Sequence, residues 1–142
     1  MEQQTAPIPR ASKAPKARGS VATTRGIHVQ THPVYMNTQA DPDGQKHVFG
    51  YRVIITNNSD HTIQVIGRRW TIIDADGNCR EVDGEGIIGQ QPILEPGESF
   101  EYASFCPLPT PWGTMEGSYL IANETGNFQA TIARFYLIAD SD

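Results

Sequence analysis

Apolar and polar positions alternate along most of this chain with a period of two, the mark of strands that bury one face. Ile27, Val29 and Thr31 alternate with His28, Gln30 and His32, and Val34 and Tyr35 carry that strand past Pro33. Proline has no amide to donate, so the strand is expected to lie at an edge or to bulge there. Asp41-Pro42-Asp43-Gly44 reads as a turn. Phe49, Tyr51, Val53 and Ile55 define a second strand, closed by Asn57-Asn58-Ser59-Asp60. A third runs from about Thr62 to Ile73, but its parity changes: Ile63 and Val65 share one face, Trp70 and Ile72 the other. One extra residue near Gly67 reconciles the two halves, which predicts a β-bulge. Asp76-Gly77 is a hairpin signal, and Cys79 to Val82 form a short returning strand. Further strands are centred on Phe100–Ser104, Met115–Ile121 and Phe128–Leu137, separated by Pro107, Pro109, Pro111 and Gly113 and by the turn Thr125-Gly126-Asn127.

Composition agrees with strands. The chain has 142 residues, with 14 Ile, 7 Val and 12 Thr against only 4 Leu. That ratio disfavours a helical bundle. The 13 Gly and 10 Pro suit many tight turns. Seven to eight short antiparallel strands without a convincing helix predict an all-β fibronectin type III or immunoglobulin-like sandwich. Trp70 precedes both cysteines, so the Cys-Trp-Cys order of antibody domains is absent and the fibronectin type fits better.

Charge divides the chain. Residues 1–25 carry five basic residues and only Glu2, whereas the whole chain has a net charge of −5. The segment is rich in Pro and Ala and has no aromatic residue or Leu, so it is expected to be a disordered basic tail, 1–25. The domain then spans 26–138 and a short C-terminal tail 139–142. Five dispersed positive charges make a weak, salt-sensitive patch, so no nucleic acid is expected as a partner. The longest apolar run, Phe135–Ala139, is far short of a membrane span. With no signal peptide and only Cys79 and Cys106, a cytoplasmic protein with free thiols is expected.

The chemistry-bearing motifs are few. Gly84-Glu85-Gly86-Ile87-Ile88-Gly89 is a literal G-x-G-x-x-G. Dinucleotide binding needs a helix after it, and Pro92 with two β-branched residues denies one. Two readings remain for Gly84, Gly86 and Gly89: a loop that needs positive φ, or a nest of amides that holds an anion with help from Arg68 or Arg69. Adjacent strand residues point to opposite faces, so Arg68 and Arg69 do not meet one ligand without a bulge between them. Glu81, Asp83 and Glu85 share one strand face, which reads as a solvated acidic stripe. His28 and His32 would stand about 13 Å apart on a strand, so no metal is assigned to them. No nucleophile–base motif is present, so no enzyme activity, catalytic residue or cofactor is expected.

Ordered blocks along the chain carry a family resemblance: Gly67-Arg68-Arg69-Trp70, Asp74-Ala-Asp-Gly77, Glu81-Val-Asp-Gly-Glu-Gly-Ile-Ile-Gly89-Gln-Gln-Pro92, Leu94-Glu-Pro-Gly97 and Thr110-Pro-Trp-Gly113-Thr-Met-Glu-Gly117-Ser-Tyr119. Over roughly residues 26–138 the chain resembles the bacterial ApaG proteins, also called CorD. The resemblance implies a fibronectin-type sandwich, a link to cobalt and magnesium homeostasis, and a protein-binding role like that of related eukaryotic domains. It also implies phosphate or pyrophosphate as the ligand of Gly84, Gly86 and Gly89. The chain departs from many members at Ala103-Ser104-Phe105, where Phe105 replaces a glycine and would fill a surface they leave open. The expectation is a non-enzymatic binding module for a protein partner, or for a second copy in a homodimer; the alternative is an anion sensor built on the 84–89 loop. The anion reading expects Gly86→Ala to leave the fold intact.

Overall fold

A computed structural model describes residues 18–36 and 47–139. Two antiparallel sheets pack face to face. The first has the order β1-β2-β3-β7 and the second β5-β4-β8-β9. The strands are β1 (Ser20–Thr24), β2 (Ile27–Tyr35), β3 (His47–Asn57), β4 (Ile63–Asp74), β5 (Cys79–Glu85), β6 (Ile93–Leu94), β7 (Ser99–Leu108), β8 (Trp112–Asn123) and β9 (Gly126–Ile138). The all-β sandwich expected from the sequence is thus present, with two strands more than the alternation pattern marks. One is β6, two residues that pair with Ile63 and Gln64 of β4. The turn expected at Asp41–Gly44 lies outside the described residues, as do residues 1–17 and 140–142.

The other added strand, β1, corrects the domain boundary. The sequence reading places all of residues 1–25 in a disordered tail, but Ser20–Thr24 pair with Ile27–Thr31 of β2. Arg25 and Gly26, with φ of 51° and 87°, make the two-residue turn between them. Polar groups fix this strand rather than apolar burial. Ser20 Oγ donates to the Ala133 carbonyl at 2.7 Å, and Thr24 Oγ1 accepts the Thr131 amide at 3.0 Å. Hydroxyl-to-backbone bonds leave no trace in a hydropathy pattern, so the tail composition hides them. They join the first sheet to β9 of the second and close that side of the sandwich.

The bulge predicted near Gly67 is also present. The β4–β8 register shifts by one between Val65 and Gly67, leaving Ile66 as the extra residue. Ile63, Val65, Trp70 and Ile72 are therefore all buried. Trp70 is the centre of the core. Its ring meets Tyr51 at 5.5 Å, Phe135 at 5.9 Å and Tyr119 at 6.3 Å, all edge-on, an arrangement that adds quadrupole attraction to area burial.

The β4–β5 hairpin is tied at its tip by Asp74. Its Oδ1 accepts the amides of Asp76 at 2.9 Å and Asn78 at 3.0 Å, and its Oδ2 accepts the Asn78 side-chain amide at 3.3 Å. Burial pushes the carboxyl pKa up, but the bonds from Asn78, Asp76 and Gly77 outweigh it and hold the pKa below the ordinary value. A depressed carboxyl pKa stabilises the fold above the unfolded pKa, and that stability is lost as pH falls through the folded pKa. Wild-type stability, followed by urea unfolding, should therefore fall as pH drops below about 4. Asp74→Asn, which carries no charge at any pH, should flatten that dependence.

Candidate functional site

Two sides of a sandwich lie between sheet edges. One is closed by β1 and β9. On the other, the edge strands β7 and β5 face each other, and no backbone hydrogen bond joins them among the described residues. Between them lies a cleft of about 260 Å³ whose floor is made by Tyr51, Trp70, Ile72 and Met115. Arg68, Arg80, Ser104 and Cys106 line it as well, and Ile88 and Phe105 stand at its mouth. These last two are 59% and 64% exposed.

The alternation of β5 builds one wall. Glu81, Asp83 and Glu85 share a face, and Arg80, Val82 and Gly84 the other; Arg80 and Val82 line the cleft. The acidic stripe is thus on the outside of the sheet, where Asp83 Oδ1 meets Arg69 Nε at 3.1 Å. Arg69 and Arg68 point to opposite faces, as the strand parity requires. The bulge at Ile66 precedes both, so it does not bring them together. Arg68 turns inward, and its Nη1 donates to the carbonyls of Glu85 at 3.0 Å and Gly86 at 2.9 Å.

The glycine motif serves this arrangement. A Cβ on Gly84 would lie 2.5 Å from the Arg68 guanidinium carbon, so the bare backbone leaves room for the arginine. Gly86 has φ of +62°, and a Cβ there would lie 2.2 Å from the Gln90 carbonyl oxygen. The Gly86 amide donates to the bulge carbonyl of Ile66 at 2.7 Å, and Ile87 and Gln90 exchange backbone bonds at 2.7 and 2.9 Å. Those three amides are therefore committed within the protein and do not form a nest around an anion. Gly86→Ala is expected to cost about 2 kcal/mol, from a strained backbone and a displaced Gln90 carbonyl, and a lowered melting temperature would show it. That variant cannot serve as the fold-neutral probe the sequence suggests. Gly84→Ala should keep the fold and shift the Arg68 side-chain NMR signals, because only the end of a flexible side chain must move.

Between Ile87 and Gln90 the turn carries positive φ at Ile88 (49°) and Gly89 (74°). Asn, Asp and Gly suit such a turn; a β-branched residue there is strained. Ile88 is nevertheless mostly exposed, so its side chain gains little from burial in return.

Protonation keeps the cleft free of protein anions. Burial pushes the Cys106 thiol up to about 11, although the charge of nearby Arg80 pulls the other way. Burial likewise raises Tyr51, Tyr102 and Tyr119, and the hydroxyls of Tyr102 and Tyr119 share a short hydrogen bond. At neutral pH these groups are neutral. Arg80, Tyr51 and Ser104 are not among the site residues expected from the sequence. The available signal is parity, since Arg80 alternates with the acids of β5. Among the described residues no group of three His, Cys, Asp or Glu side chains converges to hold a metal ion, and no helix is long and apolar enough to cross a membrane.

Comparison with known proteins places this architecture. The family model for the ApaG domain matches residues 37–123. Protein ApaG of Brucella canis is 46% identical over 117 residues, 82% of this chain and 90% of that protein. Protein ApaG of a Methylobacterium species is 48% identical over the same shares. A crystal structure titled as an ApaA protein of Bordetella pertussis superposes with a TM-score of 0.75 at 45% identity, covering 87% of this chain and 97% of that one. A second structure, a structural-genomics target, superposes with a TM-score of 0.76 at 33% identity over 83% and 90%. With the domain matched over most of its length in sequence and in fold, the chain belongs to the ApaG family.

Proposed function

We propose that this protein is a non-catalytic binding module of the ApaG type that takes a segment of a protein partner on the open side of the sandwich, between β5 and β7. The observation that carries this reading is Ile88. A β-branched side chain held at positive φ costs about 1–2 kcal/mol, and this one is spent on an exposed position beside Phe105. Strain without a packing return points to a role in recognition. The two edges, unpaired among the described residues, offer main-chain donors and acceptors to an extended partner segment, and the two apolar side chains offer it contacts. Phe105, exposed at the cleft mouth, would then adjust which segment fits. The module acts in the cytoplasm on this reading. Any part in cobalt or magnesium homeostasis runs through the partner, since no ligand cluster for an ion is assembled among the described residues.

The test is a stability–binding trade. Ile88→Asn suits the turn and should raise stability by about 1 kcal/mol. It should also weaken capture of partners from lysate of the source cells relative to wild type, as should Phe105→Asp. Arg69→Gln, on the outer face, should change neither. Unaltered capture by Ile88→Asn and Phe105→Asp would sink the proposal. Loss of a dimer in sedimentation by the same variants would identify a second copy as the partner.

The phosphate or pyrophosphate reading of the 84–89 loop is the weaker one. The committed amides of Gly86, Ile87 and Gln90 and the nearby Asp83 and Glu85 oppose it, and the inward Arg68 favours an anion.

A further inference from the structure

The charge inside the cleft is opposite to that of the protein. The chain carries a net charge of −5, yet Arg68 and Arg80 line the cleft and no Asp or Glu does. Three other arginines meet carboxylates, while Arg25 lies over the Phe128 ring at 4.5 Å. Arg52 meets Glu101 at 3.3 Å, Arg69 meets Asp83 at 3.1 Å and Arg134 meets Glu116 at 2.7 Å. Among the described residues neither Arg68 nor Arg80 has such a partner. Arg68 holds neutral carbonyls through Nη1, and Arg80 lies near the Cys106 thiol, which stays protonated at neutral pH. Two guanidinium groups on one semi-enclosed, apolar-walled space repel each other, and a bound anion relieves that repulsion. The apolar walls screen the attraction less than bulk water would, chiefly at half-buried Arg68, since Arg80 is exposed. The neutral hydroxyls of Tyr51 and Ser104 stand by as hydrogen-bond donors.

The walls set the rest of the ligand. Trp70, Ile72, Ile87 and Met115 are apolar, so the anion should be carried on an apolar or aromatic body. About 260 Å³ is below the usual range of roughly 300–1,000 Å³ for small-molecule pockets. It admits one ring or a short side chain, not a nucleotide.

We propose that the cleft between β5 and β7 binds one anionic group, a carboxylate or a phosphate monoester on a small apolar body, through Arg68 and Arg80. This rests on the reading of the open side as the binding side. The anion can arrive on a side chain of the docking segment or on a free small acid, and the chemistry recognised is the same.

The experiment is an NMR titration of the full chain with phenyl phosphate, with inorganic phosphate and benzylamine as controls. Saturable shifts should map to Trp70, Arg80 and Ser104, and phenyl phosphate should bind about tenfold tighter than inorganic phosphate. Benzylamine should not bind. Arg80→Gln should weaken phenyl phosphate about tenfold or more, and Arg80→Lys should fall between, since lysine keeps the charge and loses the planar fork. Arg69→Gln should bind as wild type does. No saturable shift by about 10 mM, shifts that map to Arg69 and Asp83, equal binding of benzylamine, or indifference to Arg80→Gln would each overturn the proposal. Competition then separates the sources: displacement of the captured partner by phenyl phosphate puts the anion on the partner, and simultaneous binding makes it a free acid. If Ile88→Asn loses the partner while Arg80→Gln neither loses it nor weakens phenyl phosphate, the anion proposal fails and the protein-binding reading stands.

Discussion

Trp70→Ala is expected to remove about 3–5 kcal/mol of stability, much of what a domain of this size possesses. The indole is 3% exposed and is ringed edge-on by Tyr51, Tyr119 and Phe135. Tyr51 comes from the first sheet and the other two from the second, so the cavity left behind would open the joint between the sheets. Collapse around it is limited because all three neighbours are strand residues held in register by pairs on β3, β8 and β9. Trp70→Phe, which keeps a ring in the site, should cost much less. Urea unfolding of both variants would show the difference. Trp70 is also the floor of the cleft, so the same residue that joins the sheets shapes the candidate binding site.

Gly117→Ala should cost about 3 kcal/mol for a different reason, overpacking against backbone. A Cβ at this position would lie 1.9 Å from the Arg69 carbonyl oxygen and 3.2 Å from the Trp70 Cα. Neither is a side chain that can swing away. Gly117 pairs with Trp70 across β4–β8, and the β8–β9 register shifts between Met115 and Gly117. Three strands thus meet closely at one residue without a side chain. A fall in melting temperature well beyond that of Gly84→Ala, where only a guanidinium must move, is the expected result. Equal effects at the two sites would show that β4 can shift to accommodate the methyl group.

The parts of the fold that follow from local periodicity were legible in the sequence. The Ile66 bulge is the clearest case: Ile63 and Val65 on one parity and Trp70 and Ile72 on the other leave a single register change between them, and Gly67 marks the place. The glycine motif was legible as a loop, because Pro92 and the paired isoleucines deny it a helix. Strand β1 was not, because Ser20 and Thr24 are bound through hydroxyls to strand β9, more than a hundred residues later. Such bonds have no periodicity to read.

The candidate site was legible only in pieces. Alternation on β5 separates Arg80 from Glu81 and Asp83, and alternation on β4 separates Arg68 from Arg69. Which side faces the core depends on the partners each strand finds. The cleft itself exists because β5 and β7, which lie in different sheets, are both last strands in those sheets, a fact of topology rather than of either segment. Phe105 illustrates the gap. Its place on a strand was legible in the sequence, but its position at the cleft mouth follows from the pairing that makes β7 an edge.

The most direct measurement of the account is hydrogen exchange of the protein bound to its captured partner, compared with the free protein. The open-side reading predicts new protection of amides in β5 (Cys79–Glu85) and β7 (Ser99–Leu108), with β1 and β9 unchanged. Protection gained instead on β1 and β9, with β5 and β7 exchanging as in the free protein, would contradict it.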